Sequence, residues 1–208
     1  MPFPSETKSA DRPEFIFIGE HPVIDFANTL VVDHGDPKEL FCSWPDVVRW
    51  LSHTKLVTSE SVELSAAAGT RALESVLKLR QAWEKVLAEL VSGGKVSEAF
   101  LERLNGLLAL DTFHEILHRD GKKGFRIVRS ASHLHGERLA LSLIAHQIAG
   151  FLAGANLSYV HRCANTTSCV LYFYDTTKNH RRQWCSVATC GNRHKVAQFR
   201  KRQIHAKK

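Results

Sequence analysis

The sequence predicts a mainly α fold with minor β: a helical N-terminal domain joined to a small C-terminal module of four cysteines, a β-hairpin and a basic helix. Three observations predict it. Apolar residues recur at helical spacing through most of the first 155 residues. Four of the five cysteines fall between residues 163 and 190. The positive charge gathers at the same end. Residues 161–208 hold 11 Lys/Arg and one acid, Asp175 (net +10), whereas residues 1–160 hold 17 Lys/Arg and 20 acids (net −3). A chain of 208 residues, 44% hydrophobic and 24% charged, can bury a core, which excludes disorder throughout. The longest apolar stretch, residues 139–145, ends at His146 and Gln147, well short of a membrane span. The N-terminus is polar and lacks the basic start and apolar block of a secretory signal, so a cytoplasmic protein is expected.

Residues 1–14 carry three prolines and read as a flexible lead. Residues 15–18 (FIFI) read as a short strand stopped by Gly19, and residues 23–32 (VIDFANTLVV) as a buried helix start or strand. Ser43-Trp44-Pro45-Asp46 opens a helix, with hydroxyl, proline and acid where a helix start tolerates them. Val47, Val48, Trp50 and Leu51 line one face of it. Residues 70–91 repeat Leu79, Trp83, Val86, Leu87 and Leu90 at helical spacing and stop at Gly93-Gly94. Ser97 starts a further helix with Phe100, Leu101, Leu104, Leu107 and Leu108 as its stripe. Residues 113–118 and 125–128 flank DGKKG, a hairpin pattern. Residues 135–155 are apolar almost all round and predict the central buried helix. The helical domain is thus placed at residues 15–157 and the cysteine module at 158–208.

The cysteines follow C-x5-C, then fifteen residues, then C-x4-C. Two close pairs joined by a hairpin insert suit a tetrahedral thiolate site. In a chain without a secretory signal this points to metal rather than disulfides. Zinc fits four thiolates best, with an iron–sulfur cluster the minor alternative. Cys163, Cys169, Cys185 and Cys190 are the expected ligands, and Cys42 stands apart. A segment this poor in apolar residues needs such a staple to fold. Residues 170–174 and 181–184 read as the two strands of the insert, and Ser186 as a cap before a basic helix. On that helix Arg193, Ala197 and Arg200 share a face with Lys201 beside them, while Val196 and Phe199 form another face suited to packing on the hairpin. Arg181, Arg182, Arg193, Lys195, Arg200, Lys201 and Arg202 are therefore the candidate nucleic-acid contacts. Gly191 reads as a tight-turn glycine and Trp184 as a core plug of the module.

The runs Cys163-Ala164-Asn165, Leu171-Tyr172-Phe173-Tyr174-Asp175-Thr176, Arg182-Gln183-Trp184-Cys185-Ser186 and Cys190-Gly191-Asn192-Arg193 resemble the CGNR zinc finger family. The IDFANTL run (residues 24–30), the helix from Ser43 with Trp50-Leu51, and the DGKKG hairpin before a long helix resemble its usual partner, the ABATE domain. The resemblance implies a bacterial, stress-induced transcriptional regulator whose zinc finger binds DNA. The first cysteine pair departs from that pattern, with one residue more than the family's C-x4-C. An RNA-binding or protein-docking zinc module is the alternative reading of the same basic finger.

Two further patterns carry weaker expectations. Asp25, Asn28 and Thr29 are polar groups inside an apolar run. They read either as a buried hydrogen-bond network or as a pocket for a small-molecule effector of a sensor domain. His114-Glu115-Ile116-Leu117-His118 matches the zincin signature H-E-x-x-H, with Glu137 as a conceivable third ligand. That metallohydrolase chemistry needs a helix, whereas Asp120-Gly121 follows at once and predicts a strand, so no enzyme is expected.

Overall fold

The computed structural model describes residues 14–33, 35–57, 62–110, 115–121, 124–129 and 134–205. The predicted lead, residues 1–14, lies outside the described residues but for Glu14. The elements run α1 (Pro22–Ala27), β1 (Leu30–Asp33), β2 (Asp36–Glu39), α2 (Trp44–His53), α3 (Ala66–Val91), α4 (Glu98–Leu108), β3 (Glu115–Asp120), β4 (Gly124–Arg129), α5 (Gly136–Gly154), β5 (Val160–Arg162), β6 (Tyr172–Tyr174) and α6 (Asn192–His205). The strands form three separate antiparallel pairs, β1–β2, β3–β4 and β5–β6. No described helix is long and apolar enough to cross a membrane.

The predicted helices form, and α5 packs against α1, α3 and α4 as the central one. Its Leu139, Ala140, Ile144, Ala145, Ile148 and Phe151 are buried, facing Ala72, Val76, Leu79, Trp83 and Leu87 of α3. Buried indoles place their single donor on a carbonyl: Trp83 Nε1 on Val23 O and Trp44 Nε1 on Val62 O, both at 2.8 Å. Helix α3 begins at Ala66, four residues before the start read from its periodicity. Residues 23–32 hold both predicted alternatives, the end of α1 and the start of β1, divided at Asn28 and Thr29.

Three sequence expectations are corrected. Residues 15–18 form no strand. They run extended and spend their apolar side chains on two surfaces: Phe15 edge-on to Phe41 at 5.8 Å, Ile16 and Ile18 against the cysteine cluster. The return strand at residues 181–184 is also absent. Strand β6 pairs instead with β5, in the register Val160↔Tyr174, His161↔Phe173 and Arg162↔Tyr172, which lies before the first cysteine of the module. Finally, Val196 and Phe199 of α6 do not pack on a hairpin; they are 48% and 62% exposed.

Asp25, Asn28 and Thr29 are buried and hydrogen-bonded. Asn28 Nδ2 donates to Tyr172 O and its Oδ1 accepts from Tyr172 N, each at 2.9 Å, so one side chain acts as a strand partner for β6. Thr29 Oγ1 donates to Phe26 O at 2.8 Å and accepts from Arg80 Nη1 at 3.0 Å. The buried Arg80 also grips Glu39 with both terminal nitrogens, at 2.6 and 2.5 Å, and pairs with Glu84 at 3.2 Å. Asp25 Oδ1 accepts from Gly19 N at 2.7 Å. Most of these polar atoms are hydrogen-bonded, as burial demands, while Arg80 Nε and Glu84 Oε1 face each other as an ion pair without a hydrogen bond.

Two expected outcomes follow from this network. Asn28→Leu leaves both Tyr172 backbone groups unpaired in the interior, and urea unfolding is expected to show a loss of about 2–4 kcal/mol. Asp25 titrates at about 6: burial raises its pKa, and the backbone bonds of Gly19 and Ile18 only partly oppose this. An acid with a raised pKa stabilises the fold fully below its unfolded pKa, near 4, and loses that contribution as pH rises through about 6. Asp25→Asn is therefore expected to gain on the parent by up to about 3 kcal/mol between pH 4 and pH 7. Any constant packing cost cancels in that pH dependence, which unfolding curves across the window measure directly.

Candidate metal centre

Four chain segments deliver the cysteines. Cys163 follows β5, and its N–H donates to Leu171 O at 2.9 Å, extending the β5–β6 ladder by one rung. Cys169 lies just before β6, across the turn of residues 164–168. That turn holds the residue additional to the family spacing and closes with Ser168 N donating to Asn165 O at 3.3 Å. Ala164 N donates to Gln183 O at 2.8 Å, which draws Cys185 to the first pair. Cys190 sits on a wide turn, Val187–Gly191, whose start is capped by the Ser186 hydroxyl accepting from Thr189 N. Helix α6 leaves directly from this turn.

The result is a buried cluster in which one sulfur of each of Cys163, Cys169, Cys185 and Cys190 lies within 4.8 Å of the others. Sγ of Cys185 is 3.6 Å from those of both Cys169 and Cys190. Four sulfurs at 2.3 Å from a tetrahedral zinc stand about 3.8 Å apart, so the residues fit the ion. They do not fit disulfides, which need about 2.0 Å; all five cysteines are free. Backbone N–H groups of Cys185 and Asn165 face the Cys163 sulfur, and that of Leu171 faces Cys169, which favours thiolates. Without metal the protons are shared unequally. Bonds from the Cys169 and Cys185 thiols push Cys163 down to about 2, and the same bonds push Cys169 and Cys185 up. A divalent ion replaces those protons at once. Its affinity must therefore fall as pH is lowered. When bound, zinc supplies structure here: four protein ligands close its coordination shell.

The insert between the pairs is ordered by charge. Asp175 is fully buried. Burial alone would raise its pKa. The Thr177 hydroxyl (2.6 Å), Thr177 N (2.9 Å) and Arg182 N (2.9 Å) outweigh that and hold it below the usual carboxylate range. Arg182 is removed from the predicted cationic surface. Its guanidinium donates to the carbonyls of Trp184 (3.0 Å), Ile18 (3.3 Å) and Cys185, pairs with Glu20 at 3.1 Å, and lies 4.5 Å over the Phe173 ring. It is a brace between the knuckle and the N-terminal segment. Sequence reasoning missed this role, because the guanidinium's partners Ile18 and Glu20 lie 164 and 162 residues away in the chain and no local pattern marks them. Trp184 packs against the cysteine cluster as the predicted plug. Gly191 has no left-handed backbone, and a Cβ there would meet Trp184 and Val187 at 3.6 Å, an ordinary contact. The tight-turn reading of Gly191 is thereby corrected.

The remaining candidates separate clearly. Arg181, Arg193, Lys195, Arg200 and Arg202 are exposed, and Lys201 lies on α6 among them, its side chain outside the described residues. Cys42 is exposed, bonded to Glu39 O and apart from the cluster. Glu115 and His118 lie on strand β3, whereas the H-E-x-x-H chemistry needs a helix; His114 is outside the described residues.

Metal analysis of the purified chain is expected to find one zinc, abolished by Cys185→Ser and unchanged by Cys42→Ser or Glu115→Gln. The cysteines share a buried cluster with Val31 and Leu40 of the front part. Cys185→Ser is therefore expected to lower the thermal midpoint of the whole chain and not merely loosen its tail. A variant whose front part melts unchanged contradicts this.

No curated protein matches the chain. Residues 160–203 match the CGNR zinc finger, and residues 20–155 match ABATE, a family described as "Putative stress-induced transcription regulator". Neither is an enzyme family. The chain belongs to the ABATE family and carries a CGNR zinc finger whose four buried cysteines can hold zinc.

Proposed function

We propose that the protein is a zinc-dependent, DNA-binding transcriptional regulator of the cytoplasm, with residues 158–208 as the nucleic-acid-binding part and residues 15–157 as a sensor or interaction part. One observation carries the reading. Helix α6 leaves the metal centre with every described side chain exposed and with no acid in its sequence, NRHKVAQFRKRQIH. A helix of 14 residues is about 21 Å long and fits the major groove of B-DNA. Arg193 stands in its first turn, beside the ligand Cys190, where a side chain can reach a base edge. Arg200, Lys201 and Arg202 lie farther along and suit phosphates. Arg181 adds a cation from the insert. Exposed Val196 and Phe199 suit the thymine methyl of a major groove. The same two residues favour the second reading, in which α6 docks on a protein. Catalysis has no part in either reading, because the zinc centre is closed by four protein ligands.

Binding of the zinc-loaded full chain to duplex DNA is expected to weaken steeply with salt. With about five phosphates neutralised, the log–log slope is roughly −4 to −5. Arg200→Ala is expected to lower affinity for all sequences alike and reduce the slope by about one. Arg193→Ala is expected to cost about 1–3 kcal/mol of sequence discrimination as well. If zinc-loaded protein shows no salt-dependent binding to duplex DNA, competition with structured RNA decides between the RNA and protein-docking readings.

A further inference from the structure

A groove of about 430 Å³ opens beside the cysteine cluster, a size typical of small-molecule sites. Ile16, Ile18, Val31, Leu40 and Leu171 form its apolar walls, and Cys169, Cys185 and Cys190 line it as well. Cys163 does not line it, and Cys163 and Cys185 are the more buried pair, 1% and 2% exposed against 6% for Cys169 and 4% for Cys190. The charged residues of the lining are balanced: Glu14 and Asp33 against Lys38 and Arg193, with Lys38 3.3 Å from Asp33. The metal-loaded centre is not balanced, because four thiolates around one divalent ion leave a net double negative charge. An anion is repelled from that floor. A hydrated cation must shed its water against apolar walls, which is costly. The class that fits is a small, uncharged, apolar molecule, and the groups it meets at the bottom are soft sulfur nucleophiles.

We propose that this groove admits small uncharged electrophiles with an activated carbon–carbon double bond, and that Cys169 and Cys190 are its sites of covalent modification. The thiolate sulfur forms a bond to the electron-poor alkene carbon. The π pair moves to the neighbouring carbon, which takes a proton from water and leaves hydroxide. A thiolate becomes a neutral thioether, and nothing is oxidised or reduced. The residue has then lost the charge that made it a metal ligand, so zinc is released and the base of α6 loses its anchor. The centre thereby becomes a chemical sensor, placed where the front part and the finger share one apolar cluster. This inference depends on the metal site and is independent of what α6 binds.

The test uses the zinc-loaded full chain carrying Cys42→Ser, treated with N-ethylmaleimide. Zinc release is followed with a chromogenic chelator, and the modified residue is identified by peptide mass mapping. The first adduct is expected on Cys169 or Cys190, with zinc released in step with that single addition. A sulfonate-bearing maleimide is expected to react with the cluster severalfold more slowly than N-ethylmaleimide, relative to their rates with free cysteine. Val31→Trp, which narrows the groove, is expected to slow both adduct and release severalfold. A first adduct on Cys163 overturns the proposal. So does a reaction that accelerates equally at all four cysteines in mild urea, the mark of global opening. Mapping is made on a chain with an unaltered groove, so it decides the matter even if the tryptophan variant fails to fold.

Discussion

The amide of Asn28 is the contact on which the arrangement of the whole chain depends. It closes two hydrogen bonds on the backbone of Tyr172, 144 residues away, and so seats the three-residue strand β6 between the helical body and the metal centre. Side chains alternate along a strand, and here the alternation feeds two interiors. Tyr172 enters the helical core, while Leu171 and Phe173 enter the cluster that surrounds the cysteines. A strand that short has little stability of its own. Bonded on one side by β5 and seated on the other by Asn28, it couples the order of the finger to the order of the helices. A finger with too little apolar surface to fold alone thus borrows surface from Ile16, Ile18, Val31 and Leu40.

The second device of the seam is electrostatic. Asp175 is the acid that the basic segment buries and Arg182 a base that it half-buries, and neither meets the other's charge; the contact is from Arg182 N to the carboxylate. Asp175 closes the insert on itself, and Arg182 turns outward from the insert to the carbonyls of Ile18 and Cys185. Replacing Asp175 leaves the N–H groups of Thr177 and Arg182 without their acceptor, and replacing Arg182 leaves the carbonyls of Ile18, Trp184 and Cys185 without their donor. The consequence for function is a division of labour among arginines adjacent in sequence. Arg182 holds the knuckle, and Arg181 stays in solvent with the cations of α6.

The helical part devotes its buried polar groups to structure. Arg80, Glu39 and Thr29 form one connected set, the neighbouring Asn28 reaches β6 separately, and Asp25 holds the Gly19 turn. The seam with the finger is built differently. There an apolar groove, three of the four metal-binding cysteines and Arg193 at the start of α6 lie together. A change at the metal centre therefore reaches the basic helix through a single turn, Val187–Gly191.

By itself the sequence determined the helices, the β3–β4 hairpin, the identity of the four metal-binding cysteines and the segregation of positive charge. Each of these is encoded locally: by a period of 3.6, by glycine and proline punctuation, by ligand type and spacing, or by a count of charges. The strand character of residues 115–120 was legible for the same reason, and it disposes of the H-E-x-x-H match. Only the tertiary structure decided which strand pairs with β6: the hairpin pattern offered residues 181–184 alone, and the structure uses β5, which the sequence pattern did not mark as a strand. It also decided that residues 15–18 supply side chains instead of a ladder, that Arg182 braces while Arg181 is free, and that Val196 and Phe199 face water. Burial is a property of what packs opposite a residue, and a sequence pattern names the face without naming its partner. For the same reason Asp25, Asn28 and Thr29 were visible as polar groups in an apolar run, but only the fold supplied their partners, Tyr172, Gly19 and Arg80.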